Sequence, residues 1–375
     1  MLDSRAQKIL TDLLTLPTAP FAEHHVLGYV EAFLRERRGL RWTRDDAGNV
    51  LIHFKRGRKT VRRPACITAH LDHPGFVADR MIGPRRVRAF WRGWVPPELF
   101  VGAKMRFFQN DRWIRGKVAS IRTAVKAGRK RVDTAVIDVT TPVAPGSIGM
   151  WDFPDPKIRG GRIYARGCDD LAGAAAILTC LDRLTRSRAP GEAYFLLTRA
   201  EEVGFIGTIA ACRLGTIPKR CVVVNVETSS QLPNARQGDG PILRVGDKTS
   251  LFDPGVAAWL GAVAGRITKR DGAFKFQRKL MDGGTCEASA FCQFGYEAAG
   301  VCVALGNYHN VDRENNVLAP EYIHLEDWAN LVRWFEALAA ADHPFVPGNP
   351  ELAAWIADLE ATYADLLAAS VDAPA

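Results

Sequence analysis

Short apolar runs alternate with helical patterns along two stretches of the chain, residues 5 to 74 and 165 to 340. The runs ACITAHL, EAYFLLT, RCVVVNVE and AGVCVALG predict strands, and the segments LAGAAAILTCLDRLTR and LEDWANLVRWFEALAAA predict helices. Strands that alternate with helices are typical of βαβ units, whose strands lie parallel and are covered by helices. The pattern therefore predicts an α/β fold with a mixed, largely parallel sheet sandwiched by helices.

The alternation is interrupted between these two stretches. Residues 76 to about 162 contain short β-like segments separated by Gly, Pro and charged turns, which predicts a small all-β domain inserted into the α/β domain. We therefore expect a discontinuous α/β domain of residues 1–75 and 163–342 and an inserted domain of residues 76–162. Residues 343–375 are expected to form an extension with a last helix that serves packing or assembly.

The composition excludes several classes of protein. With 47% apolar and 24% charged residues, the chain is typical of a folded globular protein. No apolar run approaches the ~18 residues of a membrane-spanning helix, and the first residues lack the apolar core of a signal peptide. The eight cysteines form no CxxC pair, which indicates reduced, buried thiols. We therefore expect a cytoplasmic protein with no membrane partner.

The positive charge is concentrated in the insertion. Residues 76 to 165 contain 18 Lys and Arg against 7 Asp and Glu, a net of 18 − 7 = +11, so the rest of the chain carries 9 − 11 = −2. Such a basic region is compatible with nucleic-acid binding. A solvated basic surface is the simpler interpretation, so a nucleic-acid partner is not expected.

Residues that can bind metal ions follow the predicted strands. The candidates at strand ends are His70, Asp72, Glu201, Glu202, Asn225, Glu227 and His309, and Asp169 and Asp170 open a predicted helix. Ligands of open parallel sheets bind at the carboxyl ends of the strands, so these distant positions are expected to converge on one crevice. Two histidines with several carboxylates suit Zn, Co or Mn.

Each candidate also has a purely structural interpretation. A lone histidine after a strand is often hydrogen-bonded in a core, and an Asp pair before a helix can act as its N-cap. The residues open to such interpretations are His70 (core), Asp169 and Asp170 (cap), Glu201 and Glu202 (solvated loop), Glu227 (surface) and His309 (packing on Tyr308). Their shared placement at strand ends favours a common site.

Five motifs, AHLDHPGF, GCDDLAG, AEEVGFIGT, GGTCEASAF and GNYHN, follow in order the pattern of the dinuclear zinc aminopeptidases. Over roughly residues 5 to 340 the chain resembles the M42 glutamyl aminopeptidase family, within the wider clan that includes the M28 and M20 peptidases. The resemblance implies that the insertion is a small β-barrel and that the protein is an exopeptidase acting on peptides or small amides. It also implies two divalent ions, zinc or alternatively cobalt or manganese, and a homo-oligomer.

The resemblance implies a role for each residue. Glu201 would be the general base, and Asp72 would stand behind the ring of His70 and hold its tautomer. Asp169 would bridge both ions, with support from Asp170. The implied metal ligands are His70, Asp169, Glu202, Glu227 and His309, with Asn225 as the neutral alternative to Glu227.

The chain also departs from the M42 pattern. His73 and Pro74 replace an acidic and an aliphatic residue, DDLAG lacks the usual arginine, and NVETS shifts the carboxylate by two positions. Cys286 stands where an aspartate is common, next to Glu287. These changes predict a divergent subfamily in which Thr285 and Glu287 contact the substrate.

Two other functions remain open at this point. An M20-like deacylase or carboxypeptidase acting on N-acyl amino acids needs cations that read a carboxylate, and Lys275, Arg278 and Lys279 could supply them. The other is a non-catalytic protein that binds nucleic acid or an acidic partner through the basic insertion.

Overall fold

Nineteen strands are found in the computed structural model, which describes residues 3–57, 61–126 and 128–370. The predicted domain ranges also include residues 1–2, 58–60, 127 and 371–375, which lie outside the described residues. The strands are β1 (Leu40–Arg44), β2 (Val50–Arg56), β3 (Ala65–His70), β4 (Gly75–Gly83), β5 (Arg86–Arg92), β6 (Lys104–Gln109), β7 (Arg112–Lys126), β8 (Arg129–Val139), β9 (Ile148–Trp151), β10 (Lys157–Arg159), β11 (Arg162–Ala165), β12 (Gly191–Thr198), β13 (Val222–Ser230), β14 (Ile242–Gly246), β15 (Gln277–Leu280), β16 (Ala298–Gly306), β17 (Val311–Asp312), β18 (Val317–Leu318) and β19 (Glu321–His324).

Eight α-helices accompany the strands in the described part of the chain. They are α1 (Ser4–Thr15), α2 (His24–Arg35), α3 (Leu171–Arg186), α4 (Ile206–Leu214), α5 (Pro254–Arg270), α6 (Glu287–Gln293), α7 (Leu325–Ala339) and α8 (Pro350–Ser370). The predicted strands and helices of the α/β domain are confirmed.

An eleven-stranded mixed sheet has the order β1-β2-β12-β3-β13-β16-β19-β11-β10, and β14 and β15 branch from β16. Its four central strands, β12, β3, β13 and β16, lie parallel to one another, whereas the outer strands of this order pair antiparallel. The central strands are buried almost throughout, as expected for a sheet covered on both faces. The predicted α/β fold is confirmed, and its central strands can deliver residues to one edge.

Helices cover the two faces of this sheet. Along β3, Ala65, Ile67 and Ala69 join the larger core with α1, α3, α5 and α7, whereas Cys66 faces the smaller core with α4 and α6. This alternation follows from the pleat, which points successive side chains to opposite faces.

The insertion is a closed barrel of six strands in the order β4-β5-β8-β7-β6-β9, as the resemblance implies. Its strands alternate inward and outward residues, and Val87, Ala89 and Trp91 of β5 point into the barrel core. Rings of Phe76, Trp91, Phe100 and Trp151 fill this core, with centroids of Phe76 and Trp91 4.6 Å apart. The barrel therefore has a hydrophobic core of its own.

The chain enters the barrel directly after β3 and returns to the main sheet through β10 and β11. The entry carries His70 and Asp72, and the return leads to Asp169 at the start of α3. The two crossings between the domains therefore lie beside the candidate site.

The helix α8 confirms the predicted last helix, and its described side chains are exposed. Among the helices of the described residues, none combines the length and apolar content needed to cross a membrane.

Candidate metal centre

The four parallel strands bring the candidate ligands to one edge of the sheet. His70 is the last residue of β3, Glu227 lies in the second half of β13, and Glu201 and Glu202 follow β12 after a two-residue turn. His309 lies in a short 3₁₀ turn after β16. All five side chains are buried or nearly so. The convergence expected from the strand ends is therefore present in the structure.

The carboxylate of Asp169 lies between the two histidines. Its Oδ1 is 3.5 Å from Nε2 of His70, and its Oδ2 is 3.7 Å from Nε2 of His309. Nε2 of His70 is also 3.9 Å from Oε2 of Glu227, and Nε2 of His309 is 2.9 Å from Oε2 of Glu202. The residues thus form two groups that share Asp169.

This set of donors fits divalent metal ions. Ligand atoms within 4.8 Å of one another come from His70, Asp169 and Glu227, from Asp169, Glu202 and His309, and from His70, Glu201 and Glu202. Several of the buried carboxylate oxygens have no hydrogen-bond partner among the described residues: Oδ1 of Asp169, Oε1 of Glu202 and Oε1 of Glu227. Buried polar atoms normally have a hydrogen-bond partner, so buried ligand atoms that converge without one fit a bound metal ion.

Backbone carbonyls fix the tautomers of the two histidines. Nδ1 of His70 lies 3.1 Å from the carbonyl oxygen of Asp72, and Nδ1 of His309 lies 2.8 Å from that of Trp94. A carbonyl oxygen only accepts, so Nδ1 carries the proton in both rings and Nε2 is left for a metal ion. Trp94 follows the barrel strand β5, so the inserted domain orients one of the candidate ligands.

Asp72 lies beside the ring of His70 and also contacts the turn that carries the two glutamates. Its Oδ1 lies 3.6 Å from Nδ1 of His70, but the hydrogen bond of that ring goes to the backbone carbonyl. The carboxylate instead accepts from the backbone N–H groups of Glu201 and Glu202, at 2.9 and 3.0 Å. Asp72 therefore positions the turn that carries both glutamates.

The side chain of Asn225 is held by other residues. Its Nδ2 donates to Oε2 of Glu287 at 3.2 Å, and its Oδ1 accepts from the N–H of Ala288 at 3.2 Å. Glu227 rather than Asn225 faces His70.

Glu287 does not fit the expected contact with substrate. Its side chain is fully buried and accepts hydrogen bonds from Thr198, at 2.6 Å, and from Thr208. Glu287 therefore ties the start of α6 to the end of β12. Thr285, in contrast, lines the cavity beside the candidate ligands.

The interpretation of Asp170 as a helix cap is only partly correct. Asp170 occupies the N-cap position of α3, but its side chain makes no capping hydrogen bond. Its Oδ1 instead accepts from the hydroxyl of Thr228 at 2.6 Å. The residue therefore ties the start of α3 to strand β13.

Sequence reasoning missed Glu321, the first residue of β19. Its Oε2 accepts from the N–H groups of Cys168 and Asp169, at 2.6 and 3.1 Å, and its Oε1 from the N–H of His309 at 2.8 Å. His309 has φ 55°, a left-handed conformation that is uncommon for residues other than glycine. Glu321 thus holds two candidate ligands, Asp169 and the strained His309. No local signal marks it, since it lies more than 150 residues from Asp169.

His73 was assigned no role from the sequence, although it departs from the M42 pattern. Its Nδ1 lies 2.7 Å from the carbonyl oxygen of Asp169, and its Nε2 lies 3.1 Å from Oδ1 of Asn310. It therefore holds the backbone of Asp169 on the side opposite to Glu321.

Burial and crowding shift the pKa values of the cluster. Burial raises the pKa of the Glu201 and Glu227 carboxyls well above their usual range, and nearby carboxylates add to this. For His70, burial lowers the pKa, but Asp169, Asp72 and Glu201 outweigh it and raise the pKa well above its usual value. The same balance, with Glu202 as the main partner, raises the pKa of His309 to about 9. Excess negative charge is thus concentrated where cations would relieve it.

A cavity of about 410 Å³ opens beside the cluster and is lined by Glu201, Glu202, Thr285 and His309. Four cationic side chains also line it: Arg129 and Arg131 from barrel strand β8, Lys248 and Arg313. This cavity is not lined by the three cations that a deacylase would need to bind a substrate carboxylate, Lys275, Arg278 and Lys279.

A smaller recess of about 40 Å³ adjoins it and is lined by Glu227, Thr285 and Arg244, among others. Arg244 is only 3% exposed. Its Nη1 donates to Oγ of Ser229 at 2.9 Å, and its Nε has no hydrogen-bond partner among the described residues. The recess is thus lined by a buried guanidinium, whose positive charge favours an anionic group there.

A mixed α/β sheet with this cluster at its carboxyl edge and a barrel inserted after the first histidine defines a metal-dependent exopeptidase. The family model described as M42 glutamyl aminopeptidase matches residues 48–317, most of the chain. The chain belongs to this family and is an aminopeptidase, a hydrolase.

Solved structures share the fold. An aminopeptidase from the archaeon Desulfurococcus kamchatkensis is 21% identical, with a TM-score of 0.73 over 90% of this chain and 95% of that one. The TET1 peptidase of Pyrococcus horikoshii, described as assembling into a tetrahedron or a large octahedral shell, is 18% identical, with a TM-score of 0.72 over 90% and 99%. An M18-family aminopeptidase from Thermotoga maritima is 13% identical, with a TM-score of 0.63 over 89% and 95%.

The role of Glu321 can be tested with Glu321→Gln. The amide keeps one acceptor oxygen, but its NH2 group cannot accept a hydrogen bond, so either the N–H of His309 or those of Cys168 and Asp169 lose their partner. We therefore expect metal affinity to fall about 10- to 100-fold. Competition with a chromogenic chelator measures this affinity. Glu326→Gln, an exposed change five residues on, is the control, and equal affinities in the two variants would contradict the assignment.

Proposed function

We propose that this chain removes N-terminal residues from peptides with the help of two divalent metal ions that share the carboxylate of Asp169. One ion would be held by His70, Asp169 and Glu227, and the other by Asp169, Glu202 and His309. The observation that carries the proposal is that the two oxygens of Asp169 face different histidines, at 3.5 and 3.7 Å. Zinc is the proposed metal, with cobalt or manganese as alternatives, because imidazole nitrogens and carboxylate oxygens suit all three.

Ions bound there would supply polarisation of the scissile carbonyl and a water of lowered pKa. The protein's own part is to position groups around that chemistry. Glu201 lines the cavity next to the ligands, with its Oε2 3.9 Å from Nε2 of His70. We assign it the task of general base, which takes a proton from the attacking water and gives it to the leaving amine.

The adjacent glutamates divide two tasks in this proposal. Because Asp72 holds both backbone N–H groups, the two side chains leave a fixed turn. Glu202 points to His309, whereas Glu201 points toward His70. The group of His70, Glu201 and Glu202 also offers an alternative in which Glu201 is itself a ligand.

Substitution of each glutamate by glutamine separates these tasks. Glu201→Gln should retain both ions and lose about 10²- to 10⁴-fold in kcat, because only the proton acceptor is removed. Glu202→Gln should lose bound metal as well as activity. Metal content by mass spectrometry and kcat on aminoacyl-p-nitroanilides measure both effects. Loss of metal from Glu201→Gln would show that this residue is a ligand and not the base.

Metal removal is expected to destabilise the protein. The ions bind the folded state and not the unfolded chain, so their loss removes that stabilisation and leaves buried carboxylates to repel one another. The melting temperature should therefore fall in excess chelator and recover when zinc is restored. Calorimetry with metal loss confirmed measures this, and unchanged melting would count against a ligand cluster.

The cations around the cavity support a preference for acidic substrates. Arg129, Arg131, Lys248 and Arg313 surround the mouth, and Arg244 lies in the recess beside Glu227. Positive charge in a cleft raises the local concentration of anionic ligands. We propose that the recess binds the side-chain carboxylate of an N-terminal Asp or Glu, with Arg244 as its partner.

The substitution Arg244→Met tests this preference, because it keeps the bulk of the stem and removes the charge. The ratio of kcat/KM for aspartyl- and glutamyl-p-nitroanilide to that for alanyl-p-nitroanilide should fall about 10- to 100-fold. Arg213→Met, on the exposed part of α4, is the matched control. An unchanged ratio with full metal content would remove Arg244 from substrate recognition.

Further features of the proposal follow from the family and the chain. An assay of N-acetyl amino acids beside the nitroanilides distinguishes the aminopeptidase from a deacylase.

All eight cysteines are free and seven of them are buried, which suits a reducing compartment such as the cytoplasm. A homo-oligomer is also proposed, since the related TET1 peptidase is described as a large assembly.

A further inference from the structure

Helix α8 exposes an apolar face that the rest of the described chain does not cover. Each side chain from residue 350 to 368 is exposed, including Trp355 at 59% and Tyr363 at 56%. Large exposed apolar patches mark interaction sites, and most of the stability of a helix in a protein comes from packing of its apolar face against other elements. The helix therefore needs a partner on this face.

The large apolar residues of α8 recur at intervals of four and three residues: Leu352, Ile356, Leu359, Tyr363 and Leu366. This is the spacing of the a and d positions of a coiled coil, with Leu at all three d positions and Ile and Tyr at a. Such a seam fits the holes of a helix with the same repeat, and β-branched Ile at a with Leu at d favours two strands.

The charged residues of α8 all lie outside the seam, the row of apolar residues at its a and d positions. Its four charged residues are acidic, and three of them, Glu351, Asp358 and Asp365, take c positions that face away from a partner helix. Glu360 takes an e position. In a parallel pair it lies opposite a g residue, Trp355, whereas an antiparallel pair brings the two Glu360 side chains together. The charge pattern therefore favours a parallel pair.

The area of the face matches what a stable pair needs. The five seam residues and Trp355 are between 36% and 65% exposed, so each presents on the order of 100 Å². Two copies would bury about 1,200 Å² in total, the lower end of the range for specific interfaces.

The helix is connected firmly to the protein body. Nε1 of Trp259 donates to the carbonyl oxygen of His343 at 3.1 Å, and the rings of Trp259 and Phe345 pack with centroids 5.6 Å apart. Only four residues, 346 to 349, separate this anchor from α8. Pairing of the helices therefore joins whole protomers.

We propose that α8 forms a parallel, two-stranded coiled coil with α8 of a second copy of this chain. The pair relates two protomers by a two-fold axis along the helices. The interface contains no candidate metal ligand, so the proposed pairing does not depend on the proposed catalytic mechanism.

The first test measures the mass of the full-length protein by light scattering coupled to gel filtration. The double variant Ile356→Glu, Leu359→Glu places charge at one a and one d position, and we expect the mass of the assembly to fall at least twofold. The double variant Glu351→Gln, Asp358→Asn changes two outward positions and should keep the mass of the unmodified protein. Aminopeptidase activity per chain reports that both variants remain folded. A monomeric unmodified protein, or equal masses in both variants, would overturn the pairing.

The second test fixes the orientation. In a parallel pair the two copies of residue 366 meet, so Leu366→Cys should form a disulfide-linked dimer under mild oxidation. Asp365→Cys, at an outward position, should not. In an antiparallel pair each d position faces an a position of the other helix, so residue 366 meets residue 356. Cross-linking only when Leu366→Cys is combined with Ile356→Cys would overturn the parallel arrangement.

Discussion

The carboxylate of Asp169 lies between the two groups of candidate metal ligands, and much of the surrounding structure holds it in place. Its oxygens face His70 and His309, which arrive from the ends of β3 and β16. Glu321 accepts from its N–H group, and His73 lies against its carbonyl oxygen. A buried carboxylate among other carboxylates is costly unless cations compensate it. The fold must therefore fix this residue from several directions before any ion can bind in a defined position.

The inserted barrel contributes residues directly to the candidate site. The carbonyl of Trp94 sets the tautomer of His309, and two arginines of β8 line the cavity over the acidic cluster. Part of the basic charge of the insertion thus faces a concentration of negative charge.

The strand-end residues were open to prediction because the signal is local: an apolar run followed by His or Glu. Glu227 could be preferred to Asn225 on charge alone, and the hydrogen bonds of Asn225 with Glu287 and Ala288 agree with that choice. The expected contact of Glu287 with substrate does not match its position, because this side chain is buried and bonded to Thr198 and Thr208. The sequence motif does not show the direction in which α6 points the side chain. His73 was missed because its partners Asp169 and Asn310 lie far away in the chain. Glu321 was missed because its contact with Asp169 spans 152 residues and nothing in its local sequence marks its contact with His309.

The sequence by itself determined the order of strands and helices, the position of the insertion, the motifs that identify the family and the apolar repeat of the last helix. These depend on periodicity and spacing, which a linear chain displays directly. Only the tertiary structure decided which atoms meet: the two oxygens of Asp169 with two histidines, Asp72 with the turn of Glu201 and Glu202, and Arg244 with the recess beside Glu227. The physical reason is that hydrogen bonds and ion pairs act over a few ångströms in space, whatever the separation along the chain.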